Sequence, residues 1–314
     1  MAIIHASEPQ PSDQTFVMII YGAPGVGKTT LALSAPDPLL IDFDDGMHRV
    51  SARHRKDYIR VGKYEDVLAD LKSPEIAGYK TIVIDTGGSF VTYLKDWALR
   101  TQKGARTQSG EFNSLKGFGY VKTEFSRLAS YIKDTLHKNL IFIFHSTEGA
   151  DKDGNPIQRL MCEGAARNTV WNSADFGGYL QMMGGKRCIC FTPADEYFAK
   201  GCHGVSGINE VKTLGPADPN DFVTRLFETA RANIDEENTY FLDEKAAYAS
   251  VMGQIRLIID EVTDAETATQ AAGELKGLEH ALTSQAEARK MLSDKTKELK
   301  LKWSAEEKKY VSEE

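Results

Sequence analysis

Cysteine is scarce in this chain, and long apolar runs are missing. The 314 residues include only 4 cysteines, too few for a disulfide scaffold. No stretch approaches the ~20 consecutive apolar residues of a membrane-spanning helix, and the N-terminus lacks the basic segment and apolar run of a secretion signal. We therefore expect reduced thiols, a cytoplasmic protein and no membrane partner. A zinc site is disfavoured because no Cys-x2-Cys pair occurs among its candidate ligands, Cys188, Cys190, Cys202 and His203.

Acidic residues exceed basic ones only in the last third of the chain. Residues 216–314 hold 21 acidic and 13 basic side chains, whereas residues 1–215 hold 24 and 25. Glycine also becomes rarer after this point, and Ala, Glu, Lys and Leu recur at helical spacing. We predict an N-terminal arm over residues 1–15, a core over 16–215 and an acidic helical region over 216–314. A nearly neutral core can still carry a local basic groove, so net charge does not exclude nucleic acid.

Short apolar runs alternate with amphipathic segments along the predicted core. Continuous apolar strands between helices are typical of a parallel sheet covered on both faces, so the predicted fold class is α/β with a mostly parallel central sheet. Helices are expected to begin at residue 29 and to span 93–100, 121–137, 220–232, 243–262 and 264–302. Irregular segments are expected over 101–119 and 146–172. The predicted strands are residues 16–21, 39–43, 81–85, 140–144, 179–183 and 187–192.

A glycine-rich loop follows the first predicted strand. Residues 22–29 have the sequence GAPGVGKT, which matches the phosphate-binding pattern G-x-x-x-x-G-K-[ST]. Backbone N–H groups of such a loop point at a bound phosphate, and the start of the following helix adds its positive dipole end. We predict that the loop binds ATP, with Lys28 on the β- and γ-phosphates and the Thr29 hydroxyl on Mg2+. The predicted nucleotide-binding residues are Gly22, Ala23, Pro24, Gly25, Val26, Gly27, Lys28, Thr29 and Thr30.

Acidic residues at the ends of two other strands are candidates for metal binding and catalysis. Asp85 closes the strand TIVID, and open α/β sheets place their ligand chemistry at the carboxyl ends of strands. We predict that Asp85 holds Mg2+ together with Thr29. The second strand continues into Asp42, Asp44 and Asp45, and one of these carboxylates is expected to act on the attacking water.

Four segments together resemble the core of RecA-type ATPases: GAPGVGKTT, LLIDFDDG, TIVIDTGGS and NLIFIFHSTEG. They occur in the order and rough spacing of that fold. The likeness extends over about residues 16–205 to small phage-encoded ATP-binding proteins of the AAA type, including core-only RecA-like single-strand annealing recombinases. A D-x-D-G turn, the segment GAARNTVWNSADFGGYL and the element AKGCHG add to it. The resemblance implies a RecA-like P-loop NTPase core and ATP hydrolysis.

The resemblance also implies roles for single residues. In RecA-type cores the catalytic acid lies two positions beyond the first Asp of the second strand, which is Asp44 here, although the family usually has glutamate there. The fourth strand of RecA proteins ends in a glutamine that senses the γ-phosphate, and His145 occupies that place. From the residues alone, His145 is equally well a structural hydrogen-bonding group. The implied catalytic set is Lys28, Asp44, Asp85 and His145.

Oligomers that bind ATP at subunit interfaces are a further implication of the resemblance. In such assemblies a basic residue of one subunit can approach the γ-phosphate of its neighbour. Lys200 is the candidate for this role, with an ordinary surface lysine as the alternative. Single-stranded DNA and a single-strand-binding protein are the implied partners, and the bacterial host cytoplasm is the implied location of a phage-encoded protein.

The segment 101–119 corresponds by position to a DNA-binding loop of the RecA fold. Cations beside aromatic rings suit a single strand, because cations neutralise phosphates and rings stack on bases. The segment carries Lys103, Arg106 and Lys116, with Phe112 and Phe118 among them.

A second segment, 146–172, corresponds to the other DNA-binding loop. Its candidate contacts are Arg159 and Arg167, but acidic side chains are mixed with them, so the groove is less clearly basic.

Three other functions fit the same sequence. A RecA-like regulatory ATPase could act on a protein partner through its acidic helical region and would not need the basic residues of 101–119. A P-loop phosphotransferase would respond to a small acceptor, although the sequence shows no arginine-rich lid. A scaffold without hydrolysis is disfavoured because Lys28, Thr29 and Asp85 are all present. The leading hypothesis is an ATP-dependent recombination or annealing protein that binds single-stranded DNA.

Overall fold

Two compact units make up the described part of the chain. The structure is a computed structural model that describes residues 9–11, 13–163, 166–215 and 217–312. One unit is Ser12–Asn233, and the other joins Ile234–Glu314 with the segment ending at Pro11. Much of the predicted arm over 1–15 lies outside the described residues. The division falls after residue 233 rather than at the predicted residue 215, because Val223 and Phe227 are buried in the first unit.

A mixed sheet of nine strands forms the centre of the first unit, counted over the described residues. In chain order its strands are β1 Val17–Gly22, β2 Pro38–Asp42, β3 Tyr58–Arg60, β4 Thr81–Asp85, β5 Asn139–Ala150, β6 Pro156–Leu160, β7 Phe176–Met183, β8 Lys186–Cys190 and β9 Ile208–Glu210. They lie in the order β3-β2-β4-β5-β1-β7-β8-β9, with β6 paired to β5. The strands from β3 through β7 in this order are parallel, whereas β6, β8 and β9 are antiparallel to their neighbours. The predicted mostly parallel α/β core is confirmed.

Helices pack their apolar faces on this sheet. They are α1 Lys28–Ala32, α2 Tyr64–Asp70, α3 Gly87–Thr101, α4 Ser114–Ser130, which continues as a π-helical turn, and α5 Ala166–Ser173. The rings of Phe90 on α3 and Phe125 on α4 have centroids 5.2 Å apart, and Phe125 stacks on Phe142 of β5 at 5.0 Å. All three are buried, and burying each such side chain contributes about 1.5–3 kcal/mol.

The segment 101–119 is more regular than its composition suggests. The Asn113 side chain accepts hydrogen bonds from the backbone N–H groups of Leu115 and Lys116 at 3.1 and 3.3 Å, so α4 begins at Ser114. The prediction of an irregular segment is therefore wrong for 114–119. The glycines of this segment weaken its helical pattern in the sequence. Packing explains the glycine at position 117, because a Cβ there would lie 2.5 Å from the ring of Phe112.

The prediction that 146–172 is irregular is also wrong for 146–150, 156–160 and 166–172, whereas 151–155 form the turn between two strands. Strand β5 continues to Ala150 and pairs with β6 in an antiparallel hairpin, and α5 follows. Asp151 shapes the turn, since its carboxylate accepts from the backbone N–H groups of Asp153 and Asn155, both at 2.8 Å. The hairpin strands carry mixed polar residues, so the apolar-run criterion misses them.

The second unit is helical with a small hairpin. It contains the C-terminal part of α6 Phe222–Asp260, then α7 Ala265–Gly277, α8 Ser284–Glu298 and the unpredicted antiparallel pair β10 Leu301–Ser304 and β11 Lys309–Ser312. Helix α6 is continuous through 233–242, where the sequence has neither glycine nor proline to break it. Buried side chains of Ile255, Leu275 and Leu292 contribute to its core. None of the helices in the described ranges is long and apolar enough to cross a membrane.

The carboxyl ends of the central parallel strands meet at one edge of the sheet. Gly22 of β1 lies opposite His145 of β5, and Asp42 of β2 lies opposite Asp85 of β4. Strand β5 separates β1 from β4, so only one strand stands between the glycine loop and Asp85. This edge is where parallel α/β sheets bind ligands, and it gathers the positions predicted to carry the chemistry.

Candidate functional site

The loop over residues 22–29 requires its glycines for geometric reasons. Gly25 and Gly27 have φ values of +76° and +96°, in the region that side chains other than glycine rarely adopt. Gly22 packs directly against β7, and a Cβ there would lie 2.2 Å from the carbonyl oxygen of Leu180. The three glycines therefore allow the tight turn and close strand packing that a phosphate-binding loop needs.

Lys28 lies folded over this loop. Its Nζ donates to the carbonyl oxygens of Gly22 and Ala23 at 3.0 and 2.8 Å and lies 3.2 Å from Nδ1 of His145. Only 5% of the residue is exposed. Burial lowers the pKa of Lys28 to about 8, partly offset by the negative charge of Asp85. A poorly hydrated ammonium group at this position favours an anionic ligand, because the ligand replaces the hydration that burial removes.

Thr29 and Asp85 form a hydrogen-bonded pair beside Lys28. The Thr29 hydroxyl donates to Oδ2 of Asp85 at 2.6 Å, and Asp85 is 6% exposed. Burial is the main cause that raises the pKa of Asp85 to about 6, and the charges of Asp42 and Asp44 raise it further, against the hydrogen bond from Thr29. The negative charge of Asp85 is therefore only partly compensated by its neighbours. Hydroxyl and carboxylate oxygens are ligands that Mg2+ prefers. The pair fits Mg2+, which when bound would neutralise charge on transferred phosphate.

Two of the three aspartates at the end of β2 and in the following turn have structural or surface contacts. Asp42 is buried, and its carboxylate accepts from the backbone N–H groups of Asp44, Gly46 and Met47 at distances of 2.9–3.2 Å. These bonds hold the turn that follows the strand. Asp45 is exposed and forms a surface ion pair with Arg60 at 2.9 Å.

Asp44 is the aspartate of this group that faces the site. Its carboxylate accepts from the Ser89 hydroxyl at 3.3 Å and from Arg49 at 3.2 Å. Its charge acts on both Asp85 and His145, raising the pKa of each. Asp44 therefore stays the predicted residue that orients or deprotonates the attacking water, supported by its hydrogen bond from Ser89 and by the effect of its charge on Asp85 and His145.

His145 ends the buried part of β5 beside the loop. Burial and the neighbouring Lys28 charge lower the pKa of His145, so the ring is neutral at pH 7. Because Lys28 donates to Nδ1, the ring proton lies on Nε2. A neutral imidazole whose N–H makes no hydrogen bond within the described residues can donate to a phosphate oxygen, which is the chemistry the predicted γ-phosphate sensor needs.

Replacement of Asp44 by asparagine is expected to lower the rate of ATP hydrolysis by about 100-fold or more, since general-base catalysis is worth ~100- to 10,000-fold. Nucleotide affinity should change little, because Asp44 does not contact the loop. The measurement is steady-state phosphate release beside nucleotide binding. Asp45→Asn, one residue away and exposed, is the matched control and should keep its activity. Equal rates for the two variants would remove Asp44 from catalysis.

The predicted interface lysine lies away from the loop of its own subunit. Lys200 is exposed and bridges to Gly177 of β7, and its Nζ donates to the carbonyl oxygen of Ala174, just before that strand. Strand β7 starts at this end of the sheet, whereas the glycine loop lies at the other. Any role of Lys200 at a γ-phosphate would therefore be on a neighbouring subunit.

The predicted DNA-contacting residues fall into two groups. Lys103, Arg106 and Lys116 are exposed. Arg159 and Arg167 are half-buried and donate to the carbonyl oxygens of Ala150 at 2.8 Å and Cys162 at 3.1 Å. Arg106 also bonds to its own chain, since its Nε donates to the carbonyl oxygen of Leu99 at 2.6 Å, but the residue is exposed. The sequence already made the second segment the less clearly basic of the two, and the structure separates the two groups by their exposure.

Arg187 is a site residue that no sequence motif marks. It lies on β8, and its Nε donates to the carbonyl oxygen of Val26 in the glycine loop at 2.7 Å. Local periodicity indicates only a strand at this position, and the contact depends on two strands that pair beyond β1.

Comparison with known proteins agrees with this geometry. The family model of the AAA domain (AAA_24) matches residues 14–203. Among solved structures, the flagellar accessory protein FlaH from Methanocaldococcus jannaschii aligns with 12% sequence identity over 55% of this chain and 75% of that chain, at a TM-score of 0.29, too low for a conclusion from the likeness. No curated protein sequence matches the chain. The matched residues include the glycine loop, Asp85 and His145 and cover more than half of the chain, which therefore belongs to the AAA domain family of P-loop ATPases.

Proposed function

We propose that this protein hydrolyses ATP with Mg2+ and couples hydrolysis to binding of single-stranded DNA, as a phage-type recombination or annealing ATPase. The observation that supports ATP hydrolysis is the cluster of side chains at the carboxyl ends of the strands. Lys28 contacts both the loop carbonyls and His145, and Thr29 contacts Asp85. These contacts bring together the side chains that we propose bind the phosphate chain and its metal.

Support for DNA binding comes from an exposed basic segment. Lys103 and Arg106 precede α4, and Lys116 lies in its first turn. Beside them Leu115 is 90% exposed, a large apolar side chain suited to contact a base. Cations and an apolar surface together fit a flexible single strand, because the phosphates and the unpaired bases both find partners.

Helix α3 offers a mechanical link between the two sites. Its N-cap, Thr86, directly follows Asp85, and Ser89 in its first turn donates to Asp44. Its other end, Thr101, leads into the turn that contains Lys103. A shift of α3 on binding or release of nucleotide would therefore be transmitted to the basic segment.

ATP-dependent assembly completes the proposal. Subunits would bind ATP at their interfaces, with Lys200 approaching the γ-phosphate of a neighbour. The proposed protein partner is a single-strand-binding protein of the bacterial host, bound to the same DNA.

One observation favours a second candidate, a regulatory ATPase that acts on a protein. The rings of Phe112 and Phe118 pack edge to face at 5.2 Å, and the Lys95 ammonium lies 5.3 Å from the centroid of the first. Rings engaged in this way are less free to stack on bases. A protein partner would then be the ligand of the exposed segment.

The test is the rate of ATP hydrolysis with and without an oligonucleotide, together with fluorescence polarisation of that labelled strand in ATP or ADP. Stimulated hydrolysis and tighter, salt-sensitive binding in ATP are expected. Hydrolysis without either DNA effect would reject the DNA role and favour the protein-directed candidate.

Substitution of Lys103, Arg106 and Lys116 by alanine should weaken binding of single-stranded DNA. Each lost phosphate contact is expected to make the negative slope of log affinity against log salt shallower by about 0.7. The slope of the triple variant should therefore be shallower by up to about 2. The salt titration of polarisation measures it. A matched variant removes three exposed lysines of the second unit, Lys276, Lys290 and Lys297, with the same charge change. An identical slope in both triple variants would show that only overall charge matters.

A further inference from the structure

We propose that Arg187 is a nucleotide-binding residue of this ATPase that contacts the α-phosphate of ATP in its own subunit, from the side of the loop opposite Asp85 and His145. The inference rests on the proposed ATP binding and assigns a residue that neither the sequence motif nor the family match identifies.

The Arg187 side chain is anchored on the glycine loop. Its Nε donates to the carbonyl oxygen of Val26 at 2.7 Å. The guanidinium covers Gly27 so closely that a Cβ there would lie 3.2 Å from both Cζ and Nε. Anchoring through Nε leaves the terminal N–H groups of the guanidinium as donors for a ligand. The planar group is thus oriented at the loop before any ligand arrives.

The charge of Arg187 has no carboxylate partner. Over the described residues, Arg187 takes part in no ion pair, whereas its strand neighbour Lys186 pairs with Glu210 at 2.7 Å. A half-buried arginine without a carboxylate partner beside a phosphate-binding loop is suited to receive an anion.

Arg187 and the metal-binding pair flank the loop from opposite sides. Strand β5, which carries His145, lies on one side of β1, and Asp85 on β4 lies further in that direction. Strands β7 and β8 lie on the other side and bring Arg187 to the loop. Since the metal and the γ-phosphate belong with Asp85 and His145, the opposite side belongs with the nucleoside end of the ligand.

A cavity on that side is large enough for a nucleoside. It has a volume of about 790 Å3 and is lined by Gly27, Thr30, Arg187, Asn209, Leu214 and Phe222 among others. Small-molecule sites commonly have volumes of about 300–1,000 Å3. The cavity begins at the end of the loop, so Arg187 stands where the phosphate chain would pass into it. An arginine at this point can hold a phosphate through two N–H groups at once.

The test compares Arg187→Gln and Arg187→Lys with Lys186→Gln, an adjacent exposed control on the same strand. Dissociation constants for ATP and ADP are measured by calorimetry, and thermal unfolding without nucleotide monitors folding. A charged hydrogen bond contributes enough that Arg187→Gln should weaken ATP and ADP by about 10- to 100-fold, and by the same factor. Arg187→Lys should retain more affinity than Arg187→Gln, and Lys186→Gln should bind as the wild type does.

Several results would overturn the assignment. Wild-type affinity in Arg187→Gln removes Arg187 from the nucleotide site. If Arg187→Gln retains at least as much nucleotide affinity as Arg187→Lys, Arg187 acts only by holding the loop through its hydrogen bond to Val26. A loss confined to ATP places the side chain at the γ-phosphate. Failure of the wild-type protein to bind ATP or ADP would instead overturn the proposed function, and the inference with it.

Discussion

Replacement of Lys28 by alanine is expected to lower ATP hydrolysis by about 100- to 1,000-fold, the scale of losing one preorganised charge at a transition state. The ammonium group contacts both the loop carbonyls and the sensor candidate. Without it, the phosphate chain would meet the acidic cluster of Asp85 and Asp44 with less compensation. Nucleotide should then no longer raise the unfolding temperature, because binding and stabilisation are linked.

Phosphate release and thermal unfolding with and without ADP measure this effect. Lys80→Ala is the control, since Lys80 is exposed and its ion pair with Asp37 lies at the surface. That variant should hydrolyse ATP at the wild-type rate and keep its stabilisation by ADP. Hydrolysis by Lys28→Ala at the wild-type rate would show that the site is assigned to the wrong loop.

Asp85→Asn should have effects of opposite sign on activity and stability. Hydrolysis should fall by about 100-fold or more, because the amide cannot supply the carboxylate charge that Mg2+ requires. The protein without nucleotide should become more stable at pH 8. The amide oxygen can still accept from the Thr29 hydroxyl, while the buried negative charge is removed.

The pH dependence of this stability gain follows from the pKa of Asp85. That pKa rises from 3.8 to about 6 in the folded protein, so ionised Asp85 lowers the stability of the fold. The loss develops as pH rises from 4 to 6 and is complete above 6, where a shift of this size corresponds to roughly 2–3 kcal/mol. The advantage of Asp85→Asn over wild type should therefore be largest above pH 6 and disappear towards pH 4.

Denaturant unfolding across this pH range, without nucleotide or metal, measures the difference. Asp66→Asn on the exposed face of α2 serves as the control and should show no comparable pH dependence. A variant that is less stable than wild type at pH 8 would mean that Asp85 is a structural carboxylate rather than a strained, functional one.

The convergence of the candidate site residues was largely predictable because each lies at the end of the apolar part of a strand. Parallel strands end at the same edge of a sheet, so knowledge of the strands alone implies that Gly22, Asp42, Asp85 and His145 converge. The choice among the three aspartates was not predictable from the residues by themselves. It depends on which carboxylate the backbone of the turn uses, and that carboxylate is Asp42.

Irregular segments were the weakest part of the sequence prediction. The helix start at Ser114 depends on the Asn113 cap and on Phe112 packing over Gly117, and both are obscured by glycine content. The hairpin of β5 and β6 has too few apolar residues to signal strands, since its outer part is exposed. Among the proposed DNA contacts, the internal bonds of Arg159 and Arg167 follow from that hairpin and from α5.

The sequence by itself determined the phosphate-binding pattern of the loop, the places of Thr29 and Asp85 at a helix start and a strand end, and the apolar strands of the core, because motif spacing and strand hydrophobicity are local properties of the chain. Tertiary structure alone decided that Asp44 faces the site, that Lys28 and His145 touch, and that Arg187 covers Gly27. The physical reason is that these contacts join strands and turns far apart in the chain, and their distances depend on how the sheet orders its strands.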